Sequence, residues 1–399
     1  MTWRKNVHGG NALELVTLIA CVLLLVSFYQ DTYWLIFLGC FLLVLSRMSL
    51  YYLNHVADQL ELENRRETIR LSVGEETILT LKLSQLSRLP IFRGIVELKL
   101  ESIVEGVGIP SYPSESNIVF TIPIHLKGKE TIQIPLPLKA ITRGATRIKS
   151  INVTIPNFFG FGFVELSFNP FIHKELIVHP QIISVPQTEK LFATKAQGEF
   201  PIQSSIHEHL LSPIGTRDYV YSDSFGRIHW KASAKTQTLQ TKVFEKTAHY
   251  SWTFIINLRV PNMPTYHLGV VENLESIISN VAYMAKFATK KGIEFELFLN
   301  LRMASGAAVY HLPKGEGSKQ LGKVLDLLAR LNERGNTVPL NKMFNFVEKQ
   351  QQHSPVVIFS GPYEDEGVSY FSKMQKKGQM VYILQDDYEY PAIVPFGRT

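Results

Sequence analysis

Two long apolar runs begin the chain, and alternating patterns follow them. Residues 13–29 and 33–53 are almost continuously apolar, and only Gln30, Asp31 and Thr32 separate them. Each run is close to the roughly 17 to 25 residues that a membrane-spanning helix needs. The pattern therefore predicts a transmembrane helical hairpin within residues 1–60, with residues 13–53 in contact with the lipid bilayer.

The charges around this hairpin predict its orientation. Basic residues lie at its open end, whereas the turn contains no Lys or Arg; the basic residues are Arg4, Lys5, Arg47, Arg65 and Arg66. By the positive-inside rule, the open end faces the cytoplasm. We therefore expect a multi-pass protein of the cytoplasmic membrane whose soluble domains face the cytoplasm.

Two processed forms of the N-terminus are alternatives to the hairpin. A secretory signal needs a short apolar core and a cleavage site, yet here a second apolar run follows at once. Leu18–Cys21 resembles a bacterial lipoprotein box, but residues 22–26 stay apolar where a lipoprotein usually continues into a polar tether. The hairpin is the interpretation that accounts for both runs.

A period of two predicts a second domain at residues 67–185. Apolar residues alternate with polar ones in several short segments, for example at Leu79, Leu81 and Leu83, at Phe120, Ile122 and Ile124, and at Ile151, Val153 and Ile155. Alternation of this kind is typical of half-buried strands. About seven such strands predict an antiparallel β-sandwich.

Strand and helix patterns alternate in residues 251–399. Strands are predicted at 251–258, 293–299, 307–312, 356–360 and 379–384, and helices at about 274–291, 320–331, 341–351 and 367–377. This alternation predicts a largely parallel, doubly wound α/β domain. Residues 186–250 remain as a linker and motif segment between the two domains.

Composition limits the chemistry of the chain. The 399 residues contain 41 Lys and Arg against 35 Asp and Glu, so the net charge of +6 is too mild to indicate a nucleic-acid partner. The two cysteines, Cys21 and Cys40, both lie in the apolar runs. The soluble part therefore has no thiol for a disulfide, a Cys-rich zinc site or a Cys nucleophile.

Residues 217–235 carry a recognisable motif, RDYVYSDSFGRIHWKASAK. Together with Arg143-Gly144 and the turn Asn157-Phe158-Phe159-Gly160-Phe161, it resembles the bacterial domain-of-unknown-function-58 family over essentially the whole chain. The motif departs from the family pattern at Ser222, Gly226 and Lys235.

The resemblance implies a von Willebrand factor A-like C-terminal domain. The metal site of such domains uses an Asp-x-Ser-x-Ser run after the first strand, where this chain has Asn257, Leu258, Arg259, Val260 and Pro261. These residues lack the hard oxygen ligands that such an ion requires, so we expect no metal and no cofactor. The family resemblance also implies a MoxR-type AAA+ ATPase or a transglutaminase-like membrane protein as partner.

The motif segment is also the best candidate for a binding surface. Residues 215–247 hold six basic and three acidic residues, interleaved with aromatic side chains. Since aromatic and Arg side chains dominate interface energetics, we predict a partner-binding site. Its residues are Arg217, Tyr219, Asp223, Arg227, Trp230, Lys231, Ser233 and Lys235. The alternative is a structural brace, with Arg217 paired to Asp223 and Trp230 filling a core.

Two further motifs are weak. Residues 317–324 nearly form a phosphate-binding loop, but Val324 replaces the Ser or Thr that holds magnesium. His207-Glu208-His209 lacks a nearby third metal ligand. The sequence therefore predicts a membrane-anchored cytoplasmic adaptor or scaffold without intrinsic catalysis. The alternative is a membrane-surface hydrolase or transferase that uses unidentified carboxylates.

Overall fold

The computed structural model describes most of the chain. It covers residues 3–8, 10–30, 32–158, 160, 162–168, 173–186, 188–189, 200–201, 208–248, 251–260, 271–302, 309–332, 336–350, 354–385 and 390–397. The chain folds as two compact units, Met1–His179 and Pro180–Thr399. The domain limits predicted from the sequence stay predictions.

The first unit begins with a short strand and two long helices, β1 (Arg4–His8), α1 (Gly10–Gln30) and α2 (Tyr33–Asp58). Over Ala12–Gln30 and Tyr33–Asp58 these helices are long and apolar enough to cross a membrane. Thr17 Oγ1 lies 3.1 Å from Ser46 Oγ, which joins the two helices near their open end. Large apolar side chains such as Phe28 and Phe37 point outward, a surface that suits contact with lipid.

The thirteen strands described in the first unit form three sheets. After β1 they are β2 (Leu60–Leu62), β3 (Glu67–Ser72), β4 (Glu76–Gln85), β5 (Ile91–Glu101), β6 (Val104–Gly106), β7 (Ser111–Ser114), β8 (Asn117–Leu126), β9 (Thr131–Ala140), β10 (Gly144–Arg147), β11 (Ser150–Pro156), β12 (Phe163–Phe168) and β13 (Lys174–His179). The sheet orders are β1-β12-β11-β5-β8-β7, β2-β4-β9-β6 and β10-β13-β3. The alternating apolar residues point into a shared core, as period-two patterning requires.

The predicted antiparallel strands are confirmed, but two details differ. The strands β1 and β2 flank the apolar helices, outside the predicted range 67–185, because each covers the edge of a sheet made from later residues. They are too short to show a period in the sequence. In addition, β13 pairs with β3 in parallel, so the sheets are not antiparallel throughout.

The second helix continues directly into the core of the sheets. Leu53, Val56 and Ala57 of α2 are buried among the apolar side chains of the strands. Tyr52 Oη donates to the Pro90 carbonyl at 2.7 Å, and Trp3 Nε1 donates to the Leu60 carbonyl at 2.7 Å. Both ends of the helical hairpin are therefore tied to the same folded unit.

Within the second unit, a strand hairpin carries the motif. Its elements are β14 (Phe200–Pro201), β15 (Glu208–Asp218), a 3-10 turn (Phe225–Arg227), α3 (Trp230–Thr236) and β16 (Gln240–Ala248). The sheet order is β14-β16-β15, and β15 and β16 are antiparallel. The segment predicted as a linker therefore contains regular structure.

A six-stranded mixed sheet follows. Its elements are β17 (Ser251–Ile256), α4 (Leu274–Lys290), β18 (Glu294–Leu299), β19 (Tyr310–Gly315), α5 (Gly317–Arg330), α6 (Leu340–Gln350), β20 (Val356–Ser360), α7 (Asp365–Lys376), β21 (Met380–Gln385) and β22 (Ala392–Pro395). In the order β19-β18-β17-β20-β21-β22, the four central strands are parallel and both edge strands are antiparallel. The strand predicted at 307–312 corresponds to β19, which spans Tyr310–Gly315; residues 307 and 308 lie outside the described residues.

Helices cover both faces of this sheet. Trp252, Phe254 and Ile256 pack with α4 and α5 on one face, and Ile255 and Phe359 pack with α6 and α7 on the other. All residues of β17 are buried, as expected for a central parallel strand. The predicted alternation of strands and helices is confirmed.

Candidate functional site

A hydrogen bond between Arg217 and Asp223 joins the end of β15 to the turn that follows it; residues 219–224 are called the motif turn. Arg217 lies opposite Thr241 in the register of β15 and β16. Its Nη2 donates to Asp223 Oδ1 at 2.7 Å. The other carboxylate oxygen, Oδ2, accepts from the Val220 N–H at 3.2 Å and from Thr241 Oγ1 at 3.1 Å. Asp223 therefore serves as the acceptor that closes the turn, which agrees with the predicted brace.

These donors favour the ionised form of Asp223. The hydrogen bond from Arg217 is the largest cause that lowers the pKa of Asp223, to about 2, and the hydrogen bond from the Val220 N–H is the second. The same hydrogen bond to Asp223 raises the pKa of Arg217. Because the folded-state pKa is lowered, the stability that Asp223 contributes is present above its ordinary pKa of 3.8. That contribution is lost as the pH falls toward 2.

An NMR titration of the Asp223 carboxyl carbon tests this interpretation. At about pH 3, between the ordinary pKa of 3.8 and the lowered value of about 2, we expect Asp223 to be mostly ionised. In Arg217→Gln the largest cause of the shift is gone, so the midpoint should move upward toward the ordinary value. An unchanged midpoint in that variant would contradict the role of Arg217.

The helix α3 is fixed to the strand hairpin by His229 and Ser233. The His229 Nδ1 accepts from the Ala232 N–H at 3.1 Å and so caps the helix. Ser233 Oγ donates to the His229 carbonyl at 3.1 Å and accepts from the Gln240 N–H at 2.8 Å. Ser233 is buried. Of the predicted binding residues, Ser233, Arg217 and Asp223 thus form a structural frame.

Aromatic and basic side chains project from this frame. Tyr221 is 97% exposed, Phe225 73% and Trp230 65%, and Lys231 and Lys235 of α3 are also exposed. We call these five residues the signature surface. The hypothesis that Trp230 fills a core is wrong, because the helix turns its indole ring toward solvent.

The remaining predicted residues, Tyr219 and Arg227, are only partly exposed. Tyr219 is half-buried, with its ring 6.0 Å from that of Phe225 and its hydroxyl 3.3 Å from the Asp223 carbonyl. Arg227 is also half-buried. Leu239, which is 46% exposed, was not predicted from the sequence. A single Leu after a polar turn gives no signal of exposure.

Asn257 lies at one edge of the six-stranded mixed sheet, where the hydrogen bonds of its side chain require both a donor and an acceptor. The carboxyl ends of the parallel strands β17, β18 and β20 meet there, so Asn257, Asn300 and Gly361 come together. Asn257 Oδ1 accepts from the Arg259 N–H at 3.1 Å and from Asn300 Nδ2, and Asn257 Nδ2 donates to the Pro362 carbonyl. This buried amide uses both its donor and its acceptor, whereas an ionised aspartate has no donor.

Within the described ranges, no three His, Cys, Asp or Glu side chains form a group that could hold a metal ion. Pro261 and His207, which belong to two of the sequence motifs, lie outside those ranges. The prediction of a metal-free protein stays a prediction. In the loop that resembles a phosphate site, Gln320 donates to the Phe295 and Pro313 carbonyls, and Val324 is buried. That segment is therefore a packed helix start.

A buried carboxylate in the same unit bears on the hydrolase alternative. Glu296 of β18 accepts from Thr253 Oγ1 at 2.8 Å and lies 3.1 Å from His311 Nε2. The His311 ring stacks on Phe298 with centroids 4.2 Å apart. Glu296 is only 2% exposed, and these contacts stabilise the interior of the sheet.

Comparisons with known proteins give little further information. No family model matches the chain, and no curated protein matches it. Among solved structures, the ASH/PapD-like domain 7 of human CEP192 aligns with 31% of this chain and 86% of its own length, at 13% identity and a TM-score of 0.18. A cohesin–dockerin complex from Clostridium thermocellum aligns with 30% of this chain and 99% of its own chain, at 5% identity and a TM-score of 0.20. Salmonella alpha-2-macroglobulin aligns with 33% of this chain and 8% of its own chain, at 15% identity and a TM-score of 0.19. TM-scores this low identify neither the fold nor the function of this chain.

Proposed function

We propose that this chain is a membrane-anchored adaptor that docks a protein partner through the signature surface and catalyses no reaction itself. The exposure of Tyr221, Phe225 and Trp230 on an internally hydrogen-bonded frame carries this proposal. Large aromatic side chains in pre-organised positions supply interface energy at a low entropic cost. The frame therefore serves to hold the anchors in place.

The charges of the signature surface favour an acidic partner. Lys231 and Lys235 are exposed on α3, the helix that begins with Trp230. Basic side chains around an aromatic anchor steer an acidic surface toward it and mainly raise the association rate. The family resemblance makes a MoxR-type AAA+ ATPase the first partner to test, and a transglutaminase-like membrane protein the second.

Membership of the domain-of-unknown-function-58 family, with a von Willebrand factor A-like second unit, is part of the same proposal. The motif at residues 217–235 supports it, as does a sheet with four parallel central strands and helices on both faces. In this interpretation the network around Asn257 replaces the metal site of the related domains. The substitution of amide for carboxylate ligands then accompanies a binding role that needs no ion.

We further propose that α1 and α2 cross the cytoplasmic membrane as a hairpin, with both units in the cytoplasm. Three features support this: the outward-facing apolar side chains, the basic residues at the open end, and the attachment of both hairpin ends to the first unit. Residues 4–8 form an edge strand on β12. Cleavage after α1 would remove that strand, so the fold favours an uncleaved N-terminus.

Cysteine labelling in intact cells tests this topology. In a chain with Cys21→Ala and Cys40→Ala, a cysteine at Thr32 in the helical turn should react with a membrane-impermeant maleimide added outside. A cysteine at the exposed Ser116, in the turn before β8, should react only after the membrane is permeabilised. External labelling of Ser116→Cys would contradict the cytoplasmic placement, and a shortened chain would indicate signal cleavage.

The docking role is tested by capture of a MoxR-type ATPase from the same organism by the full-length chain in membranes. We expect capture by the native chain and its loss in Trp230→Ala. The matched control is Tyr390→Ala, which removes a 76% exposed aromatic side chain outside the motif. Equal capture by all three chains, with each folded, would reject the docking role of the signature surface.

A further inference from the structure

An aromatic turn lies at the end of the first unit where the chain enters α1. The segment between β11 and β12 reads NFFGFGF over residues 157–163, of which Phe159 and Phe161 lie outside the described residues. In the register of β1 and β12, His8 pairs with Phe163, and α1 begins two residues later at Gly10. The turn is therefore at the level where the chain enters the proposed membrane-spanning hairpin.

Other strands bring further residues to the same end of the six-stranded sheet. Because successive neighbours are antiparallel, the start of β5 and the end of β8 lie beside this turn, with Ile91 paired to Leu126. Phe92 contacts Phe158 edge-to-face at 5.6 Å. The turn after β8 packs on the turn before β5, where the Lys129 N–H donates to the Ser87 carbonyl at 2.8 Å.

The exposed side chains at this end are aromatic and basic. Phe158 is 65% exposed, and the other exposed aromatic and basic residues are Phe92, Phe163, Arg88, Arg93, Lys127 and Lys129. Two carboxylates lie nearby: Glu130 accepts from the Lys127 N–H at 2.6 Å, and Glu165 lies 3.4 Å from His8. Four basic side chains beside these two acidic ones give this end an excess of positive charge.

The helix α2 indicates how far this surface lies from the proposed boundary of the hydrocarbon core. Ser46 Oγ lies 3.3 Å from the Leu13 carbonyl, so these residues are at the same level in the hairpin. Tyr52 follows Ser46 by about 9 Å along the helix, at 1.5 Å per residue. Its hydroxyl contacts Pro90, immediately before β5. A bilayer adds roughly 5 to 8 Å of headgroup layer on each side of its hydrocarbon core. With the core boundary at Leu13, Tyr52 lies just beyond that layer. Gly10, about 4.5 Å before Leu13 along α1, lies within it, so the turn beside His8 and Phe163 reaches the headgroup layer.

We propose that this end of the first unit rests on the anionic headgroup layer of the bilayer. Phe158, Phe92 and Phe163 lie at the interface, and the four basic side chains contact lipid phosphates. The proposal rests on the insertion of the hairpin proposed above. Aromatic side chains are favourable at a membrane interface, and Lys and Arg near an anionic surface are attracted to it. The continuous helix and these contacts together would hold the unit at a fixed height and tilt.

Spin-label accessibility on the full chain tests this contact. In the Cys21→Ala and Cys40→Ala background, a label is placed by Phe158→Cys, and the chain is reconstituted into nanodiscs of phosphatidylcholine alone or of an equimolar mixture with phosphatidylglycerol. Two control sites are used: Phe37→Cys in the hairpin and Ser116→Cys at the opposite end of the sheet. We expect the label at Phe158 to gain contact with oxygen and to lose contact with a water-soluble nickel reagent, and more so with phosphatidylglycerol.

Each other result identifies a different failure. If Phe37 is not oxygen-accessible, the hairpin is not inserted, and both proposals are wrong. If Phe37 behaves as inserted but Phe158 matches Ser116, only the headgroup contact is wrong. A label at Phe158 that is shielded from both reagents is covered by protein, which also overturns the lipid contact. Finally, Arg93→Gln with Lys127→Gln should remove the effect of phosphatidylglycerol; if that effect is unchanged, the basic side chains do not bind the lipid.

Discussion

Replacing Gly361 by alanine is expected to destabilise the second unit by about 3 kcal/mol or more, because overpacking adds to backbone strain. Gly361 has a φ of +109° and follows β20 at the edge of the large sheet. A Cβ at this position would lie 2.0 Å from the Asn257 carbonyl oxygen. The same backbone supplies the buried network of Asn257 and Asn300, so the clash cannot relax without breaking hydrogen bonds there.

Two other glycines provide matched controls. Gly378→Ala also requires a positive φ, of +85°, but its Cβ would meet no atom within 4 Å, so it should cost only about 1 kcal/mol of strain. Gly322 lies inside α5 with open space around it, and Gly322→Ala should stabilise the chain by roughly 0.5 to 1 kcal/mol. Calorimetry of the detergent-solubilised chain orders the three variants. A melting transition of Gly361→Ala equal to that of Gly378→Ala would show that the close contact with Asn257 is absent.

Trp230→Ala is expected to weaken partner binding by about 2 kcal/mol or more, which is roughly 30-fold in Kd, without lowering the melting temperature. The indole ring is 65% exposed at the first residue of α3, so its removal leaves no cavity, and alanine is a good helix former. The affinity for a captured ATPase and the thermal transition are measured on the same preparation.

Asp223→Ala should behave in the opposite way. It removes the acceptor of three hydrogen bonds in the motif turn, from Arg217, Val220 and Thr241. We therefore expect a lower melting temperature, with binding reduced only as far as the frame is disordered. If Trp230→Ala also melts early, or if it folds and binds normally, then Trp230 is not an interface anchor.

The residue types of the candidate site could be predicted from the sequence. Which of them form the hydrogen-bonded frame and which are exposed could not. A run of aromatic and basic residues marks a surface or a brace equally well. The structure assigns Arg217, Asp223 and Ser233 to the frame, and Trp230, Lys231 and Lys235 to the exposed side. The reason is physical: which face of the short helix α3 is buried depends on where β16 packs, and that strand is paired through residues outside the helix.

The sequence by itself determined the elements that follow from local periodicity. Continuous apolar runs produced α1 and α2, the period of two produced strands such as β4 and β11, and the alternation of patterns produced the mixed sheet with its helices. These features depend on neighbours a few residues away, where patterning is informative.

Only the tertiary structure decided what distant residues do together. It placed β1 and β2 on sheets formed by later strands, continued α2 into the core through Leu53 and Val56, and made Asn257 part of a buried network with Asn300. Each of these contacts joins residues far apart in the chain. Pairing and burial of that kind are set by the packing of whole elements, which no local pattern records.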